Sequence, residues 1–185
     1  MGRVSPRAER RVVLCEGHPE LHPVPVSWAE SDPVERVAVD EIEGDAPIAD
    51  QWSIETTATD LYARAGSANP EALAEAAEAE VVYANDLPAG FEGLVLNGRI
   101  YVRKSRNRRR MMLALLHELA HWLLGDACSH GDVWCLTLAL GAPMPVLKRL
   151  RHAGGLSLVS LYWEAELPRW ALAARLRMWA ASAAA

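Results

Sequence analysis

The sequence predicts an α+β fold: a mainly helical domain with a small antiparallel sheet placed just ahead of one long apolar helix. Three observations predict it. Met111 to Leu124 is apolar at every position except His117, Glu118 and His121. Two short runs, Gly93 to Asn97 and Arg99 to Arg103, meet at Asn97-Gly98, a strong hairpin signal. Runs of helical composition, punctuated by Gly and Pro, lie on both sides.

The chain has 185 residues, 51% of them hydrophobic, enough for a core. Residues 1–50 read as a poorly structured lead, because Pro recurs from Pro6 to Pro47 and acids accumulate from Glu30 to Asp50. Arg11 to Leu14 is a candidate short strand. His18 and His22 are separated by one helical turn, but Pro19 and Pro23 beside them favour loop histidines. The folded core is expected over 51–150, followed by a helical extension over 151–185.

Within the core, Ile54 to Ala65 can form a helix ended by Gly66. Pro70 suits the first position of a second helix reaching about Ala79, whose glutamates form a solvated face. Val81 to Tyr83 is a short strand candidate, and RIYVR at 99–103 alternates as a half-buried strand does. Ser105 or Asn107 is the expected N-cap of the long helix. Later helices are expected from Gly131-Asp132 to Leu140, Pro145 to Ala153, Leu158 to Leu167 and Pro168 to Ala180.

Net charge is −5 and unevenly spread. Residues 1–98 carry 19 Asp+Glu and 6 Lys+Arg, whereas 99–185 carry 5 and 13. Either the halves attract each other or the basic half meets an acidic partner. Six cations fall between Arg103 and Arg110, where the helix dipole disfavours them. They form either a turn answering the acidic half or a patch for nucleic acid or an acidic protein segment. Three cysteines and no apolar leader point to free thiols and a soluble cytoplasmic protein. Met111 to Leu124 is too short for the ~20 apolar residues of a membrane span.

His117, Glu118 and His121 spell H-E-x-x-H. On a helix the two histidines share a face, so both rings can reach one ion. Neutral imidazoles suit Zn²⁺, and Glu118 can reach a water held there. The plainer reading is a pair of satisfied core histidines, yet burying two imidazoles and a carboxylate without partners is costly. A catalytic site needs a third ligand and an open position. His130 or Asp132, at the start of the next helix, can point back; Asp126 is too close in sequence. Cys128, with Cys135, would suit a closed structural site instead.

At these residues the chain resembles the ImmA/IrrE family of zinc metallo-endopeptidases. HELAHWLL looks like that family's active helix, and GLVLNGRIYVRKS looks like its preceding strand pair and joint. The family's next helix resembles E-x-x-A-N-x-F-A-x-x-L-L-x-P, whose first residue is the third ligand. Aligning its proline with Pro143 selects His130, with Val133 and Leu136 at the small and aromatic positions. Aligning it with Pro145 selects Asp132. Neither is the usual glutamate.

The resemblance covers about Ile54 to Leu150. It implies a zincin-like core, a Zn²⁺ cofactor held by His117, His121 and His130 (or Asp132), and Glu118 as catalytic base. It also implies cleavage of a regulatory protein, typically a helix-turn-helix repressor, in phage, mobile-element or stress regulation. The 151–185 extension would match a helix-turn-helix-like segment, and Tyr101 is a candidate oxyanion partner. The competing function is a non-catalytic, metal-stabilised regulator that binds DNA or a protein through its basic half.

Overall fold

The computed structural model describes residues 51–125 and 128–184. The expected lead, the 11–14 strand, His18, His22 and Asp126 lie outside the described residues. Seven helices and one three-stranded sheet are described: α1 (Gln51–Ala65), α2 (Pro70–Ala76), β1 (Glu80–Ala84), β2 (Gly93–Leu96), β3 (Arg99–Arg103), α3 (Arg108–Leu124), α4 (His130–Gly141), α5 (Met144–His152), α6 (Leu158–Glu164) and α7 (Arg169–Ala184). The class is mixed α+β, dominated by helix.

The helix boundaries follow local chemistry. Asn69 caps α2 by accepting from the amides of Glu71 and Ala72, with Pro70 in the first turn. The helix stops at Ala76, short of the expected Ala79, where Glu78 takes a positive φ of 56° and the chain turns into β1. Asn107, one of the two expected caps, closes the start of α3 by accepting from Arg110 N. Ser129 caps α4 in a reciprocal box with Asp132. A second Ser-based box, Ser157 with Ser160, opens α6. The expected last two helical runs hold, but α6 ends at Glu164 and a turn through Leu167 separates it from α7.

The sheet departs from the antiparallel expectation. Its order is β1-β3-β2. β2 and β3 form the expected antiparallel hairpin, with Leu96 opposite Arg99. Asn97 (φ 50°) and Gly98 (φ 76°) both take the left-handed conformation that such a two-residue turn demands. β1, however, lies parallel to β3, with Val82 opposite Tyr101. The reason is the Asn85 to Glu92 loop, which carries the chain from β1 to the far side of β3. Arg103 fastens that loop, its guanidinium donating to the carbonyls of Phe91, Leu87 and Pro88 at 2.6–2.9 Å.

One core unites these elements. Met112, Leu115, Leu116, Leu119 and Ala120 of α3 are wholly buried, with Ile100 and Val102 from the sheet and Leu136, Leu138 and Leu140 from α4. Leu161, Leu167, Ala171 and Leu172, from the expected 151–185 extension, belong to the same core. Arg175 of α7 is fully buried and makes a bidentate pair with Glu55 of α1, its Nε donating to the Ala142 carbonyl. Among the described residues no single helix is long and apolar enough to cross a membrane. α4 and α5 reach span length only together, across a 46° bend, and their apolar residues line this core.

Candidate metal centre

Three imidazoles converge where α3 crosses the start of α4. His117 and His121, one turn apart on α3, have ring centroids 5.0 Å apart. His130, the first residue of α4, lies 5.2 Å from His117 and 6.1 Å from His121 by the same measure. One ligand nitrogen from each falls within 4.8 Å of the other two, so the group can hold a metal ion. The Ser129 cap sets His130 there, because it fixes where α4 begins.

The alternative third ligand, Asp132, is spent elsewhere. Its carboxylate accepts from Ser129 N at 3.1 Å and Ser129 Oγ at 2.9 Å. It is buried and lies outside the three-histidine group. The cysteines also lie outside it: Cys128 Sγ donates to the Gly125 carbonyl at 3.0 Å, and burial pushes the Cys135 thiol pKa up. Tyr101 is not at the site either. Strand alternation turns Ile100 and Val102 into the core, so Tyr101 falls on the other face.

Tautomers follow from the partners. Thr137 Oγ1 donates its proton to the Val133 carbonyl at 2.7 Å, so toward His117 Nδ1, 3.5 Å away, it can only accept. That contact, though long, favours the proton on Nδ1 and leaves the Nε2 lone pair of His117 for a metal. Burial holds the His117 pKa well below its usual value, with His121 and His130 nearby adding to the effect. Burial, then His130, lowers His121 to about 4. Both imidazoles are therefore neutral at pH 7, the form that binds metal.

Glu118 faces β2 rather than α4. Gly93 makes room for it: a Cβ there would stand 2.5 Å from Glu118 Cγ and 3.0 Å from Oε1. Burial pushes its carboxyl up to about 8. A cation beside it would reverse that shift.

Sequence reasoning missed Gly93, Thr137 and Trp134. Trp134 packs 4.6 Å from His117 and donates its indole N–H to His130 Nε2 at 3.0 Å. Spacing gave a signal for Trp134, one turn after His130, but none for the other two.

The arginines in the first turn of α3 are structural tethers. Arg108 pairs with Glu166 at 2.9 Å and Glu71 at 3.5 Å, and Arg110 pairs with Glu92 at 2.5 Å. Arg109 stacks on Tyr162 at 3.7 Å and donates to the carbonyls of Tyr162, Ala165 and Leu167. With Arg103 on its loop, four of the six cations are engaged within the fold. Comparison with protein-family models, curated proteins and solved structures finds no match to this chain.

Proposed function

We propose that the chain is a zinc-dependent endopeptidase acting on a regulatory protein, with a helix-turn-helix repressor as the expected substrate. The observation that carries this reading is the pairing of three convergent histidines with a carboxylate one residue from the first of them. All-nitrogen donor sets suit Zn²⁺, and three protein ligands leave the open position a hydrolytic site requires. When bound, the ion supplies Lewis acidity that polarises a carbonyl and acidifies water.

The chain's own residues would do the rest. His117, His121 and His130 would hold the ion. Glu118 would take a proton from the attacking water and pass it to the leaving amine. Among the described residues β2 is an edge of the sheet and lies against Glu118, so an extended peptide adding to that edge would run past the carboxylate. The resemblance to ImmA/IrrE endopeptidases supports the repressor as substrate.

The competing regulator reading relies on the basic half as a DNA or partner surface. It loses support where Arg103, Arg108, Arg109 and Arg110 are committed internally.

The test compares wild type with Glu118→Gln, both loaded with zinc, on a proteome-derived peptide library. Expected are discrete cleavage sites for wild type and at least a hundredfold loss in the variant, consistent with removal of a general base (~10²–10⁴), at equal zinc content. Equal cleavage by both, or none by wild type, would defeat the enzyme reading.

A further inference from the structure

We propose that Trp134 is a displaceable guard on the third ligand: its indole hydrogen-bonds to His130 and must let go for metal to bind. The inference rests on the reading of the three imidazoles as a metal centre. Trp134 Nε1 lies 3.0 Å from His130 Nε2. An indole N–H can only donate, so Nε2 must be the unprotonated nitrogen of that ring. A neutral imidazole has one lone pair in the ring plane, and this hydrogen bond uses it.

Metal ligation needs the same lone pair. If His130 ligates through Nε2, the indole proton and the ion compete for one site. If it ligates through Nδ1, that nitrogen must first give up its proton. The ring then stays neutral only if Nε2 becomes the N–H, which again expels a donor. A partner that supports a ligating histidine accepts from its second nitrogen. Thr137 can do this for His117; Trp134 cannot do it for His130.

The indole is well placed to move a short way and remain packed. It is half-buried, 4.6 Å from the His117 ring and 6.0 Å from Trp170 by centroid. Rotation about its side chain breaks the hydrogen bond while keeping apolar neighbours. Trp134 is thus an affinity-tuning residue: it weakens metal binding by the worth of that bond.

Zinc titration of the full chain against a chromophoric chelator, wild type beside Trp134→Phe, tests this. Phe keeps a ring and removes the donor. Binding about two- to tenfold tighter in the variant, the worth of one net hydrogen bond, is expected. Zinc binding by wild type with equal or weaker binding in the variant would overturn the guard while leaving the metal centre intact. No zinc binding by either protein would overturn both.

A second measurement needs no variant. In wild type, the assigned Trp134 indole N–H resonance should move upfield and exchange faster with water when zinc is added. A resonance unchanged by stoichiometric bound zinc would contradict the proposal.

Discussion

His117, Glu118 and His121 were legible because helical geometry is local: a spacing of four fixes a shared face whatever the rest of the chain does. His130 was reachable from the turn chemistry after Gly125, but the choice against Asp132 required the Ser129 capping box. Thr137 and Gly93 act across 20 and 25 residues of chain on His117 and Glu118, and no local pattern announces such contacts. The titrations belong to the same scale. In the chelated, metal-free chain, His117 and His121 sit below the unfolded value of 6.5, so the unfolded state binds more protons as pH falls below that point. Their contribution to stability is therefore lost on acidification from 6.5 toward about 4. Glu118, at about 8 against 4.5 unfolded, works the other way: the fold holds its proton, and stability is lost as pH rises through that window. Below pH 6.5 two imidazoles outweigh one carboxyl; from 6.5 to 8 the carboxyl acts alone. Chelated melting temperatures, followed from pH 4.5 to 8.5, should peak near 6.5. Glu118→Gln should flatten the alkaline side relative to wild type, and an unaltered alkaline slope would refute the assignment.

Elements place these residues. The hairpin was readable because Asn97-Gly98 admits few other conformations, and α3 because its apolar run has helix length and a capping Asn. The parallel pairing of β1 was not readable. It follows the path of the Asn85 to Glu92 loop, fastened by Arg103 through its carbonyls, which strand periodicity does not encode. β2 and α3 meet at Gly93 and Glu118 closely enough that a methyl group is felt. Gly93→Ala should push the Glu118 side chain out of its position, costing about 1–3 kcal/mol of stability as overpacking does. It should lower peptide cleavage sharply while leaving zinc affinity within about twofold, since the histidines face α4. Denaturant melts and zinc titration would check both halves. A variant as stable and active as wild type would show that the strand does not constrain the carboxylate.

At the scale of the molecule, four ion pairs among the described residues join the acidic half to the basic half. Arg99 meets Glu80, Arg108 meets Glu71, Arg110 meets Glu92, and the buried Arg175 meets Glu55. The exposed pairs contribute little singly. Removing one partner of the buried pair would leave an uncompensated charge, so that contact pins α7 to α1 firmly. Composition left open attraction between the halves or an acidic partner, and could not pair residues 120 positions apart, as Glu55 and Arg175 are. Around this frame α3 and α4 cross with three imidazoles between them, and every functional statement depends on that junction holding metal. Its most direct test is elemental analysis of the purified, folded full chain after equilibration with zinc and desalting. One zinc per wild-type chain is the expected result, falling to below about a tenth in a His117→Ala, His121→Ala double variant that retains the wild-type circular dichroism spectrum. A folded wild type without stoichiometric zinc, or a double variant that keeps it, would contradict the account.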